Sequence, residues 1–266
     1  MIIKVPFRSL ERTESAEEAP DKILKALKEI WLNESWKKPR FDAETILPIK
    51  NDIDASLANI EINAMKFLKA INVKKADEKV IFLGGDHSIS YATVKAFSQL
   101  NEDAGLIIFD AHADLMPSLS SPIHEDWLSS LIGKGFVSAK NVFLVGLRNV
   151  DENEKDFLDS YKINHFTAKE IFSEGVAEIA SAIMEIARKW QSFYVSVDID
   201  VCDPAFAPAV AYPEPGGLSS RELLHFLQRL TILKNFAAAD IVEVLPKKDI
   251  NGITVKLAAK ILAELM

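Results

Sequence analysis

The sequence lacks much of what several common protein designs need. It has a single cysteine, Cys202, so no intrachain disulfide can form, and the chain suits a reducing compartment. It has no apolar run long enough to span a bilayer. The opening MIIKVPFRSLERTE reaches charged side chains almost at once, which is not the profile of a signal peptide. A cytoplasmic location is the expectation. Basic clusters are lacking and the formal net charge is -8, a poor balance for binding nucleic acid. Repeats, low-complexity tracts and Gly/Ser linkers are also missing. A single domain over residues 1–266 is the simplest expectation for a chain of this length.

What is present is an alternation. Short β-branched runs occur as IIKV near the start, KVIFL (79–83), GLIIF (105–109), NVFLVG (141–146), FYVSV (193–197) and AADIVEV (238–244). Amphipathic helical patterns lie between them: 21–32, 56–71, 89–100, 176–190, 219–230 and 251–265, with 33–42 reading as a loop. Continuous apolar strands separated by amphipathic helices predict an α/β fold with a parallel sheet covered on both faces. Ligands of such sheets bind beyond the carboxyl ends of the strands, so the residues that follow each strand are the place to look for chemistry.

Four strand ends carry unusual residues. KVIFL is followed by GGDHS (84–88), GLIIF by Asp110, His112 and Asp114, FYVSV by Asp198, Asp200 and Asp203, and AADIV leads to Glu243. Residues two apart in extended chain project to one side, so Asp110, His112 and Asp114 would converge, and Asp198 with Asp200 repeats the device. Burying that many carboxylates uncompensated is prohibitive; divalent cations would compensate them. The set His87, Asp110, His112, Asp114, Asp198 and Asp200 suits two metal ions sharing carboxylates. Its hard oxygen ligands and absent thiolate favour Mn²⁺ over structural zinc, with Zn²⁺, Co²⁺, Ni²⁺ and Fe²⁺ remaining open. A metal pair can lower the pKa of a shared water for attack on a planar, electron-poor carbon.

Each piece alone has a plainer reading. D-x-H-x-D can be a solvated loop or a turn. GGDHS can be a glycine-rich turn with Asp86 or Ser88 capping the next helix. D-I-D-x-x-D-P can be a tight turn before Pro204. The combination, each piece after a parallel strand, favours a metal cluster.

These residues closely resemble the ureohydrolase family of arginases, agmatinases and formimidoylglutamases. The matching motifs are GGDHS, DAHAD (110–114) and SVDIDVCDPAFAP (196–208), followed in family order by PEPGGLSSRE (213–222) and DIVEVLP (240–246). The resemblance implies a three-layer α/β/α sandwich around a mainly parallel sheet, two manganese ions per subunit, and a homo-oligomer, trimer or hexamer. It implies that His87, Asp110, Asp114 and Asp198 hold one ion. Asp110, His112, Asp198 and Asp200 would hold the other, with Asp110 and Asp198 bridging. Glu243 corresponds to the glutamate that grips a guanidinium group, a task suited to a carboxylate that accepts two parallel N–H bonds. His124 falls where the family often has a proton-shuttling histidine, at an agmatinase-like spacing from Asp114. Plainer roles are surface packing for His124 and pairing with Lys247 or Lys248 for Glu243.

Three departures bear on substrate. Arginases usually carry asparagine two residues after DAHxD, where this chain has Met116, which offers no useful hydrogen bond. The usual His-Gly-Thr reads His124-Glu125-Asp126. These carboxylates would either attract an amine-tailed substrate or serve a helix N-terminus. The usual Gly-Thr-Gly before PEPGG reads Ala209-Val210-Ala211-Tyr212, which stiffens the loop. The expected activity is hydrolysis of an agmatine-like guanidino compound to urea and an amine. Glu243 would orient the substrate, Asp200 would help to stabilise the tetrahedral intermediate, and His124 would return a proton. Arginase, formimidoylglutamase and guanidinobutyrase activities are the alternatives within the class; a catalytically silent metal-binding protein is the alternative outside it. Trp127 and Tyr212 are candidates to line the pocket, Trp31 and Trp190 read as core, and Cys202, His165 and His225 read as structural.

Overall fold

The computed structural model describes residues 1–70, 79–118 and 121–266. Ile71, the last residue of the helical pattern at 56–71, lies outside the described residues. The apolar runs form parallel strands: β1 (Ile2–Val5), β3 (Val80–Gly84), β4 (Ala104–Phe109), β5 (Val142–Leu147), β7 (Ser192–Asp198) and β8 (Phe236–Val242). Two edge strands join them, β2 (Ala43–Thr45) and β6 (Asn164–Thr167). The eight-stranded sheet has the order β2-β1-β3-β8-β7-β4-β5-β6, and every pair is parallel.

The sheet separates two apolar cores. Alternate strand residues face alternate sides. Ile81, Leu83, Ile107, Phe109, Val195 and Val197 enter one core with α1 (Ala19–Leu27), α6 (Ala168–Glu174), α7 (Val176–Ala187), α8 (Ser220–Leu230) and α9 (Ile253–Leu265). Val80, Phe82, Leu106, Ile108 and Tyr194 enter the other with α2 (Ile53–Ala70), α3 (Ile89–Ser98), α4 (Trp127–Gly133) and α5 (Glu152–Tyr161). This is the expected three-layer α/β/α sandwich. Burial on both faces explains why the central strands read as continuous apolar runs rather than alternating ones.

One expectation about the core is overturned. Trp31 is 85% exposed rather than core. Helix α1 ends at Leu27, before the pattern runs out. Beyond it the chain turns so that Asn33 donates to the Ala263 carbonyl at 3.1 Å and the Glu34 N–H donates to Glu264 at 2.8 Å. Docking those polar groups on α9 carries Trp31 off the apolar face. Trp190 is buried as expected. Among the described residues, no helix is long and apolar enough to cross a membrane.

The strand order places the chemistry. β3, β8, β7 and β4 are consecutive neighbours at the centre of the sheet. Their carboxyl ends carry GGDHS, Glu243, Asp198 and Asp110 respectively. Neighbouring strands lie about 4.8 Å apart, so all four ends open onto one site. The second glycine of GGDHS is required by close approach. A Cβ at Gly85 would lie 1.9 Å from the Phe7 carbonyl oxygen, because Gly85 N and Asp86 N donate to the carbonyls of Val5 and Phe7 at 3.1 Å.

Candidate metal centre

His87 leaves β3 buried, with its Nδ1 facing three carboxylates. Asp114 Oδ2 lies at 2.9 Å, Asp110 Oδ2 at 3.2 Å and Asp198 Oδ2 at 3.3 Å. His112 Nδ1 sits 3.0 Å from Asp200 Oδ2 and 3.5 Å from Asp110 Oδ1. Two groups have ligand atoms mutually within 4.8 Å: His87 with Asp110 and Asp198, and Asp110 with His112 and Asp200. Asp110 belongs to both. All six residues singled out from the sequence therefore meet at one place, and Asp114 adds to the His87 side.

Backbone donors hold the carboxylates still. Asp110 Oδ1 accepts from His112 N at 2.7 Å, Asp198 Oδ1 from Asp200 N at 2.8 Å, and Asp200 Oδ1 from Ala111 N at 3.1 Å. Asp114 Oδ2 accepts from Trp127 Nε1 at 2.7 Å. Trp127 is fully buried, 4.8 Å from the His87 ring. It therefore supports the cluster from behind rather than lining the cavity, as the sequence had suggested. Asp203, the outer acid of its motif, stands apart: it accepts from Ala205 N and Gly216 N and shapes a turn.

The set fits a cation on evidence internal to the fold. Asp240, in β8, accepts hydroxyl protons from Ser196 at 2.6 Å, Ser90 at 2.7 Å and Tyr194 at 2.9 Å. Burial raises its carboxyl, while the His87 charge and these three donors hold the rise in check. With its proton on Asp240, Ser196 Oγ can only accept from His87 Nε2, 2.9 Å away. A neutral His87 then presents a bare Nδ1 to oxygens that also only accept. His87 Nδ1 and Asp110 Oδ2 are buried without a hydrogen bond, a costly condition for protein alone. Burial, then the charges of Asp200 and Asp110, push Asp198 well above the usual carboxylate range. Against burial, the carboxylates of Asp110, Asp114 and Asp198 push His87 well above its ordinary value. A divalent cation relieves all of these conditions. The ligands are oxygen-rich with two imidazoles and no thiolate, a donor set for hard or borderline divalent ions.

Glu243 follows β8 in the left-handed region, with φ 65°. Asp114 does likewise at φ 53°, and such backbone strain in non-glycine residues clusters at functional sites. Glu243 N donates to the Gly85 carbonyl at 2.9 Å, and Glu243 Oε1 accepts from His87 N at 2.7 Å. Burial raises its carboxyl to about 8 against the opposing charge of His124. Neither nearby lysine pairs with it: Lys247 engages Glu14 and Glu18, and Lys248 Nζ donates to the Val210 carbonyl. His124 is buried and neither ring nitrogen is hydrogen-bonded. Burial disfavours its charged form, yet the acids around it, Asp86, Glu243 and Asp114, carry it up to about 9. Both residues line a cavity of about 600 Å³ together with His87, His112, Asp114, Asp198 and Asp200.

Several contributors were not picked out in the sequence. Ser196 and Asp240 are polar residues inside strands otherwise buried on both faces, and that misfit was the available signal. Arg148, just beyond β5, donates to the carbonyls of Asp200, Val201, Cys202 and Glu214 at 2.6–3.2 Å and so clamps the Asp198–Asp200 loop. Cys202 is buried, and its thiol is pushed up to about 12 by burial, as fits a small apolar filler. His165 lies within β6, bonded to the Ile163 carbonyl, and His225 lies on α8.

An eight-stranded parallel α/β/α sheet with paired imidazole–carboxylate clusters at its carboxyl end defines an arginase-like architecture. The chain belongs to the arginase family, whose model matches residues 1–266. Proclavaminate amidinohydrolase of Streptomyces clavuligerus is 35% identical over 196 residues, 72% of this chain and 62% of that protein. Mitochondrial arginase 1 of Oryza sativa subsp. indica is 33% identical over 189 residues, 70% of this chain and only 54% of that protein. The crystal structure of formimidoylglutamase from Bacillus subtilis superposes with a TM-score of 0.90 at 27% identity, covering 99% of this chain and 84% of that one.

Proposed function

We propose that the chain is a binuclear-metal amidinohydrolase that cleaves an agmatine-like guanidino compound into urea and an amine. The observation that carries this reading is the convergence of six imidazole and carboxylate side chains at the floor of a cavity that Glu243 and His124 also line. His87, Asp110, Asp114 and Asp198 would hold one cation, and Asp110, His112, Asp198 and Asp200 the other. The bound pair would supply Lewis acidity and lower the pKa of solvent water, with manganese the preferred ion.

The protein's own groups do the rest. Glu243, fixed by His87 N, would be ionised by the cationic head beside it and then accept its parallel N–H bonds, orienting the planar head over the cluster. Asp200 faces the same space and helps to stabilise the tetrahedral carbon. His124, on the cavity wall beside Glu243, delivers a proton to the departing amine nitrogen. Met116 lines the cavity where a carboxylate-binding polar group would be needed, and Glu125, Asp151 and Glu152 make the lining acidic. Both features support a substrate with a cationic tail over arginine. The resemblance adds a homo-oligomer, trimer or hexamer, and the charged N-terminus and single cysteine add a cytoplasmic setting to the reading.

The test is a panel of guanidino and formimidoyl compounds offered to manganese-loaded protein and scored for urea or amide release. Urea from agmatine above the other compounds is the expected result. No urea or amide from any of them overturns the reading and favours a silent metal-binding protein.

A further inference from the structure

The two loop departures that stand out in the sequence meet in space. Tyr212, on the segment that replaces the glycine-rich loop, donates its hydroxyl to Glu125 Oε1 at 3.0 Å. Glu125, on the segment that replaces His-Gly-Thr, is tied at its backbone as well, accepting from Met116 N at 3.1 Å. The Tyr212 ring is held on two sides. The Arg12 guanidinium lies 4.4 Å over its face, a cation–π contact. The rings of His112 and His124 stand crosswise to it, with centroids 5.8 and 5.9 Å away. A rigid aromatic therefore aims one carboxylate at the mouth of the cavity that both residues line. Asp126, the other acid of the same segment, behaves differently. Its Oδ1 accepts from Ile123 N at 2.6 Å at the start of α4, so it is committed to the turn.

We infer that Glu125, oriented by Tyr212, is the specificity-determining residue that selects substrates whose non-reacting end is positively charged. The inference rests on the amidinohydrolase reading and deepens it, naming which of the acidic lining residues discriminates between tails. The Glu125 side chain is 45% exposed, so it meets the tail at a wet rim. Its contribution is therefore modest and sensitive to salt. The competing role is support of His124, whose Nε2 lies 3.4 Å from Glu125 Oε1. The two roles differ in what they spare. Tail selection affects only amine-tailed substrates and appears in KM. Support of His124 affects kcat on every substrate.

The experiment measures kcat and KM of manganese-loaded protein on agmatine, butylguanidine and 4-guanidinobutanoate, which share a head and differ in tail. Wild type favours agmatine over butylguanidine by about two- to fivefold in kcat/KM, the range of an exposed charge pair. Glu125→Gln brings that ratio close to one, through KM. Tyr212→Phe, which frees the carboxylate without removing it, lowers the ratio part of the way. An unchanged ratio in Glu125→Gln overturns the inference, and so does an equal fall in kcat on all three compounds. If no guanidine is hydrolysed, the amidinohydrolase reading fails separately. Calorimetric binding of butane-1,4-diamine then decides: binding to Glu125→Gln weaker by about two- to fivefold upholds the inference, and equal binding overturns it.

Discussion

Ser196 gives its hydroxyl proton to Asp240 at 2.6 Å and leaves its oxygen to His87 Nε2 at 2.9 Å. This buried relay fixes both the tautomer and the angle of His87, a proposed metal ligand. Ser196→Ala and Asp240→Asn should weaken metal retention by about 10- to 100-fold, the usual cost of removing a partner of a metal-bound histidine. Competition of each variant against a chelator checks this. Retention equal to wild type in both would show that His87 needs no such tether.

His124→Asn should lower turnover by roughly 10²- to 10⁴-fold, the range for loss of a positioned acid, while bound metal stays at the wild-type level. His124 is close to the cluster but outside both ligand groups, so its loss should separate proton delivery from metal binding. Turnover and metal content on one preparation check both. An unchanged rate removes His124 from the chemistry.

Gly85→Ala should be strongly destabilising. The new methyl would sit 1.9 Å from the Phe7 carbonyl oxygen, and backbone cannot yield as a flexible side chain can. A loss of about 2–4 kcal/mol, in the range of overpacking and lost strand hydrogen bonds, should appear as a lower denaturation midpoint.

Glu34 gives a pH dependence away from the metal site. The Arg221 guanidinium grips its carboxylate at 2.7 and 2.8 Å, Gln228 adds a bond at 3.0 Å, and its pKa falls to about 2. A depressed carboxylate pKa stabilises the fold above the unfolded value and loses that contribution as pH falls through the folded one. The group is largely solvated, so Glu34→Gln should cost no more than about 1 kcal/mol at pH 7. The difference from wild type should shrink between about pH 4.5 and 2. Denaturant titrations of metal-free protein at pH 7, 4 and 2.5 check it.

Much of the candidate site was legible because its residues follow strands that are themselves loud signals. Val80–Gly84, Ala104–Phe109 and Ser192–Asp198 are buried along nearly their whole length, so their apolar runs show, and the polar residues that end them stand out. The edges were not legible. Ala43–Thr45 is exposed at every residue, and Asn164–Thr167 is half exposed and polar, so neither carries a burial pattern. Trp31 misled because the apolar periodicity of α1 continues past Leu27 while polar docking of Asn33 and Glu34 redirects the chain. The Tyr212–Glu125 contact was also beyond reach, since it joins loops far apart in sequence, although each partner stood out alone as a departure.

The most direct test is metal content. Protein stripped, reloaded with Mn²⁺ and dialysed should retain about two equivalents per chain by elemental analysis, as two sites sharing a carboxylate require. Asp110→Ala, which removes the ligand common to both groups, should retain less than one. Fewer than one equivalent in the folded wild-type chain would contradict a binuclear centre at these six residues.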